Sequence, residues 1–335
     1  MKKISINNAS KSFPNVRLRR LRTTGAVRDL LQETRLSPKD LIAPIFVQEG
    51  LKNTQEVASM PDIHRLPLSK LAVEVDRIKE LGVSAVILFG LPLQKDAEAK
   101  SAFDNSGIVQ KSIELLRKQF GTKVAIITDV CLCQYTTHGH CGLVVKKKID
   151  NDRTIDALAK IAVSHARAGA DIVAPSAMMD GQVQALRTGL DDAGFADVAI
   201  MGYSAKQASP LYAPFREAAH STPEFGDRFT YQMPFSNARE AMREIETDIA
   251  EGVDIVMIKP ALPYLDLVYT ARQATNVPIC AYSVSGEYAL IKAAALNGWI
   301  DEDSVMTEFL TSIKRAGANM IITYLAKRMA ERLNK

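Results

Sequence analysis

Apolar residues along the chain fall into eight short runs of strand length, separated by longer stretches in which apolar positions recur every three or four residues. The runs are Leu41–Val47, Ala85–Phe89, Lys123–Thr128, Asp171–Ala174, Val198–Tyr203, Asp254–Ile258, Pro278–Tyr282 and Asn319–Ile322. They are nearly continuous in apolar character, as expected of parallel strands covered on both faces. Helical spacing runs through Leu68–Leu81, Ile108–Gln119, Thr154–Ala168, Gly181–Ala193, Asn237–Glu251, Leu262–Gln273, Gly286–Ala295 and Ser304–Arg315. Gly82, Gly169, Gly252 and Gly317 stand just before strands, where a helix C-cap glycine belongs. Strand and helix alternating eight times predict an α/β fold, a closed (β/α)8 TIM barrel. An open doubly wound sheet is the competing architecture. It would be supported by a glycine-rich dinucleotide fingerprint after the first strand, and none is present.

Residues 1–30 stand outside this pattern. They hold Asn7, Asn8, Ser10, Pro14 and a basic run of Arg17, Arg19, Arg20 and Arg22, with too little apolar periodicity for a barrel element. The expected organisation is an N-terminal arm for subunit contacts over 1–30 and a single catalytic barrel over 31–335. A solvated tail is the plainer alternative for the arm.

Composition narrows the function more than the fold. With 47% hydrophobic and 24% charged residues, the 335-residue chain can bury a large core. A formal charge of +4 is small for this length, and no basic face interleaved with aromatics is visible, so no nucleic-acid partner is expected. No apolar run approaches the ~18–20 residues that span a bilayer, and no secretory h-region opens the chain. A cytoplasmic location without membrane contact is therefore expected. Of four cysteines, Cys131, Cys133 and Cys141 are clustered. That clustering does not suit a disulfide framework and favours a metal.

The cysteines lie in Asp129-Val130-Cys131-Leu132-Cys133-Gln134-Tyr135-Thr136-Thr137-His138-Gly139-His140-Cys141-Gly142, after the third strand and so on the catalytic face of a barrel. Cys131 and Cys133 point to one side of an extended chain, and Cys141 can return through the Gly139 turn. Three thiolates with an open fourth position suit zinc. Reduced thiols in an ordinary loop are the alternative. His138 and His140 are further ligand candidates, although positioning the loop suits them better. Cys280, inside the seventh strand, reads as a core residue.

Two lysines carry the sharpest signal. Lys206, in Gly202-Tyr203-Ser204-Ala205-Lys206, and Lys259, in Met257-Ile258-Lys259-Pro260-Ala261-Leu262-Pro263, each follow an apolar strand run. An amine attacks a ketone only when neutral, so such a lysine needs a pKa well below its free value of ~10.4. Burial and a second ammonium both act in that direction. On neighbouring strands ~4.8 Å apart, the two would oppose each other's charge by roughly a few kcal/mol at an effective dielectric of ~20. Strand-end lysines snorkelling to water are the competing account. The long loop after Lys206 offers Arg216, Arg228 and Gln232, residues suited to holding a carboxylate.

These segments, with Ala174-Pro175-Ser176-Ala177-Met178-Met179-Asp180, Val284-Ser285-Gly286-Glu287-Tyr288 and Ser312-Ile313-Lys314-Arg315-Ala316-Gly317-Ala318, closely resemble the porphobilinogen synthase (5-aminolevulinate dehydratase) family. The resemblance runs from about Arg19 to near the C-terminus. It implies condensation of two 5-aminolevulinate molecules to porphobilinogen, with loss of two waters, on the way to haem. Lys259 would form a Schiff base with the substrate that becomes the propionate side (the P site). Lys206 would form a second Schiff base, or assist, at the A site. Zinc on Cys131, Cys133 and Cys141 would polarise the A-site substrate. Asp129 would contact an amine, and Ser176 and Tyr203 would line the site. Phe215, Arg216, Arg228 and Gln232 would form the A-side pocket and lid, while Ser285 and Tyr324 would hold the P-side carboxylate. Glu244 matches a position that holds an activating magnesium in many bacterial members; a solvated glutamate is its alternative. A homo-octamer with embracing N-terminal arms is also implied.

Two rival functions leave different traces. A class I aldolase needs one imine lysine and no zinc, against the cysteine trio and paired lysines seen here. A zinc-bearing protein that had lost its chemistry would show broken site positions, and the matched positions are intact.

Overall fold

In a computed structural model, the structure describes residues 15–335. The chain divides into two compact units, Met1–Arg35 and Leu36–Lys335. Of the expected arm, residues 1–14 lie outside the described residues. The remainder of the first unit holds a 3-10 turn at Leu18–Arg22 and a short helix at Gly25–Leu30, whose first turn is capped by the Thr24 side chain.

The second unit is the expected barrel. Its strands are β1 (Leu41–Gln48), β2 (Ala85–Leu91), β3 (Ala125–Val130), β4 (Ile172–Pro175), β5 (Ala199–Lys206), β6 (Ile255–Lys259), β7 (Ile279–Ser283) and β8 (Met320–Thr323). Each pairs in parallel with the next, and β8 pairs with β1 through Leu41↔Ile321 and Ile42↔Ile322, which closes the sheet. Side chains such as Phe46, Ile87, Ile127, Met257 and Ile321 are buried. Both faces of the sheet are thus covered, which is why the sequence shows continuous apolar runs.

The helices are α1 (Leu68–Glu80), α2 (Ile108–Phe120), α3 (Asn151–Ala168), α4 (Gln182–Asp192), α5 (Ala238–Ala250), α6 (Leu265–Ala274), α7 (Ser285–Leu296) and α8 (Glu302–Ala316). All eight coincide with the predicted stretches. Gly82, Gly169, Gly252 and Gly317 have positive φ at the ends of their helices, as the C-cap reading requires.

Besides the short helix Ala213–Ala218 in the long loop, two hairpins and a final helix were not anticipated. An antiparallel hairpin, Gln55–Val57 with Met60–Leu66, interrupts the first strand–helix connection. A second hairpin, Leu143–Val145 with Lys148–Asp150, precedes α3. A final helix, Ala326–Leu333, follows β8. It gives β8 its helix, so that α7 and α8 both lie between β7 and β8. The additional one is α7: it packs on the 210–218 segment and the first hairpin, at the end of the barrel where the strands terminate.

Candidate active site

Lys206 and Lys259 are the last residues of β5 and β6, and they are register partners across those strands. Both are 5% exposed. The snorkelling account does not fit side chains buried to this degree. Burial first, and then the neighbouring Lys206 ammonium, pushes the Lys259 amine down to about 7. Its Nζ lies 4.2 Å from the Tyr282 ring centroid and 5.1 Å from those of Tyr203, Tyr212 and Phe215. Lys206 Nζ donates to the Ser176 carbonyl and sits 5.5 Å from the Tyr203 ring.

Neighbouring strand ends supply the next groups. Asp129, near the end of β3, is buried; burial raises its pKa, while Gln134 and Ser176 hydrogen bonds and the two lysines act against the rise. Gln134 Nε2 donates to its Oδ2 at 3.0 Å, and its Oδ1 has no partner among the described residues. Ser176 immediately follows β4, where its N–H donates to the Val130 carbonyl. Tyr324 follows β8 and shares a hydrogen bond of 3.1 Å with the Tyr282 hydroxyl. The Tyr203 hydroxyl is buried without a partner among the described residues.

The cysteine loop folds back as its spacing predicts. Cys131, Cys133 and Cys141 are buried, and their sulfur atoms all lie within 4.8 Å of one another. Hydrogen bonds from the Cys131 and Cys133 thiols, with the Arg228 guanidinium nearby, hold Cys141 well below the ordinary thiol range. Three soft donors converging in a dry pocket fit a tetrahedral metal site with one position left open. Among the described residues this is the group of three side chains with that convergence. His138 and His140 lie outside it: His140 instead bonds Tyr231 Oη at 3.0 Å and the Phe225 carbonyl at 2.9 Å, the positioning role expected of it.

The segment after β5 crosses this mouth. Arg65 of the first hairpin donates to the Ala218 and Glu217 carbonyls at the end of the short helix Ala213–Ala218, which ties that helix down. Phe215 inserts its ring against Phe89 and Phe46, at centroid distances of 5.1 and 5.7 Å. Ser285, at the start of α7, accepts from Phe215 N–H and donates to the Leu211 carbonyl. Farther along, Arg228 donates to the Gly139 and Ser221 carbonyls, linking the segment to the cysteine loop. Gly139 is needed there: its φ is +70° and an added Cβ would lie 2.4 Å from the Thr222 carbonyl oxygen.

Arg216, Arg228 and Gln232 line one cavity of about 410 Å³. The Nε atoms of both arginines, and both amide atoms of Gln232, are buried without partners among the described residues. Buried donors left open in this way suit an anionic ligand. Glu244 is elsewhere, half-buried on α5, where burial and the nearby Asp180, Glu240 and Glu251 carboxylates raise its pKa.

Sequence reasoning overlooked several residues of this site. Gln134 carries no signal beyond its place among the cysteines. Tyr212 donates its hydroxyl to the Lys259 carbonyl at 3.0 Å, and only its position in the long loop pointed to it. Tyr282 sits inside a strand, where an aromatic residue reads as core.

The sequence profile of the Delta-aminolevulinic acid dehydratase family matches residues 15–332. The chain belongs to that family. It is 54% identical over 321 residues to the Delta-aminolevulinic acid dehydratase of Archaeoglobus fulgidus, covering 96% of this chain and 99% of the relative. It is 53% identical over 319 residues to that of Halalkalibacterium halodurans, covering 95% and 97%. The crystal structure of the Toxoplasma gondii dehydratase (porphobilinogen synthase), in complex with its reaction product porphobilinogen, superposes with a TM-score of 0.92. That match has 43% identity and covers 95% of this chain and 91% of that one. The family and enzyme class expected from the sequence are those these relatives are named for. Among the described residues, no helix is long and apolar enough to cross a membrane.

Proposed function

We propose that this chain performs the dehydratase reaction of its family through two lysine imines and a cysteine-held zinc. Two 5-aminolevulinate molecules condense to porphobilinogen and two waters leave. The observation that carries the reading is the register pairing of two buried lysines at adjacent strand ends, with Lys259 brought down to about 7.

At that pKa a large share of Lys259 is neutral near pH 7 and can attack a ketone. The attack forms a C–N bond as a proton passes from nitrogen to the carbonyl oxygen; the resulting carbinolamine takes up one further proton and loses water. Lys206 serves the second substrate, covalently or as a charged neighbour. Ser285 and Tyr324 hold the carboxylate of the P-side substrate. Arg216, Arg228 and Gln232 hold that of the A-side substrate, which accounts for their open polar atoms. Asp129 receives a substrate amine beside Ser176 and Tyr203. Phe215 closes the mouth, and dryness protects imines from hydrolysis.

Cys131, Cys133 and Cys141 would hold zinc, and their convergence fits it. When bound, zinc supplies a Lewis acid on the A side that distinguishes two otherwise identical substrates. A magnesium is also proposed at Glu244, beside the Asp180, Glu240 and Glu251 carboxylates; magnesium retains several waters and needs only one or two carboxylates. Residues 1–30 are proposed as an arm that contacts a neighbouring subunit in a homo-octamer, which sedimentation of the full chain would test. A cytoplasmic location goes with this metabolic role.

The test is pyrrole formation from 5-aminolevulinate by the protein as purified, after chelation, and after zinc is returned. Activity lost on chelation and regained with zinc supports the whole reading. Activity indifferent to chelation removes the metal from it, and no pyrrole from folded protein removes the reaction.

A further inference from the structure

Lys259 faces two opposed demands. Its amine must be uncharged to add to a ketone, yet the nitrogen carries a positive charge once water has left. A carboxylate beside it would serve the second demand and defeat the first, because it would hold the amine as an ammonium. Among the described residues, Lys259 Nζ has no ion pair and no hydrogen bond; the Asp129 carboxyl and the Cys131 and Cys133 thiols favour its charge from a distance, and burial with Lys206 outweighs them. The nitrogen lies instead among four aromatic rings from three parts of the fold. Tyr282 of β7 is nearest, at 4.2 Å, and Tyr203 of β5 with Tyr212 and Phe215 of the crossing segment stand at 5.1 Å.

A ring face bears negative charge density without bearing net charge. It attracts a desolvated cation, yet far less than a carboxylate does, so the amine can still be neutral before attack. In a dry site the attraction is at its strongest, because no water competes for the cation. The Tyr282 ring is fixed in place, since the residue is fully buried and its hydroxyl is engaged by Tyr324 at 3.1 Å.

We propose that Tyr282 is a further catalytic residue, whose ring face stabilises the positive charge that appears on the Lys259 nitrogen as the iminium forms. The inference rests on the Schiff-base reading of Lys259. The step it assists balances as one neutral amine, one ketone and one proton going in, and one iminium and one water coming out. Tyr203, Tyr212 and Phe215 complete the cage, but they are farther away, and two of them belong to the crossing segment. Tyr282 alone combines the shortest approach with a rigid strand.

A fluorination series tests the ring face while hardly changing its size. Tyr282→Phe removes the hydroxyl and keeps the ring. Phenylalanines bearing two and then three ring fluorines at position 282 progressively drain the negative face. The readout is the fraction of Lys259 that carries substrate after borohydride reduction at subsaturating 5-aminolevulinate, measured by peptide mass. The Phe variant should retain the adduct within about threefold, and the most fluorinated ring should lower its equilibrium by roughly tenfold, in graded steps. Thermal unfolding midpoints should stay level across the series, which separates this effect from misfolding. An adduct level that is flat across the series overturns the proposal. If the unsubstituted protein gives no adduct at Lys259, the Schiff-base reading itself falls, and this inference falls with it.

Discussion

Lys206 and Lys259 end adjacent parallel strands as direct register partners, so two amine side chains enter one buried space from neighbouring backbones. That arrangement opposes charge on Lys259 and favours the neutral amine that carbonyl chemistry needs. It also separates two roles that one lysine cannot fill at once: nucleophile, and electrostatic neighbour of the nucleophile.

Replacing Lys259 with alanine should remove turnover by more than about 10⁴-fold, the scale on which loss of a covalent nucleophile is felt. The fold should persist. Steady-state pyrrole formation and circular dichroism check the two halves, and appreciable activity in the variant would remove Lys259 from the chemistry.

The depressed Lys259 amine predicts a pH profile. kcat/KM should rise with pH through an acid limb near 7, as the amine loses its proton. Lys206→Met removes the like charge, which relieves the ammonium and should move that limb to higher pH. A limb that stays in place would show the two lysines to be electrostatically independent.

Linkage gives the same group a second signature. Unfolded, Lys259 binds its proton up to about 10.5; folded, only to about 7. The unfolded state thus holds more protons between those values, and stability rises with pH there. The penalty develops as pH falls from about 10.5 and is complete below about 7. Lys259→Met should therefore raise the unfolding temperature at pH 6 and lose that advantage towards pH 11. A pH-independent difference would contradict the assignment.

Arg216→Ala should raise KM by about 10–100-fold, the range for one hydrogen bond to a charged group, with a smaller effect on kcat. An unchanged KM would move carboxylate binding away from the cavity that Arg216, Arg228 and Gln232 share.

Gly286→Ala tests whether the crossing segment must seat on α7. The new Cβ would lie 2.6 Å from the Leu211 Cα and carbonyl oxygen, both backbone atoms that cannot turn aside. The Leu211–Phe215 stretch should be displaced, with a stability loss of about 1–3 kcal/mol and loss of activity. A variant as active as the parent would show that the segment tolerates this shift.

Much of this fold was legible because its strands are buried on both faces. Their apolar runs locate all eight to within about two or three residues, and the paired lysines follow from where two of those runs end. The first hairpin escaped because Pro61, Asp62 and the adjacent His64 and Arg65 interrupt its few apolar positions, leaving neither a continuous apolar run nor a regular alternation. The last helix escaped because Ala326–Leu333 is only eight residues long and rich in charge, so its apolar face of Ala326, Met329 and Ala330 spans barely two turns. The extra helix α7 was visible as a helix, but nothing local distinguishes a helix that packs on a barrel wall from one that packs over its mouth. The cysteine trio was readable from spacing. The Tyr282 ring was not, since a strand aromatic beside the core and one beside a reacting amine have the same sequence context.

The most direct test of the two-lysine account is borohydride reduction of the protein in the presence of 5-aminolevulinate, followed by peptide mass mapping. The account predicts a substrate-derived mass addition on Lys259, absent when borohydride is added without substrate. A turning-over enzyme whose Lys259 and Lys206 peptides both remain unmodified would contradict it.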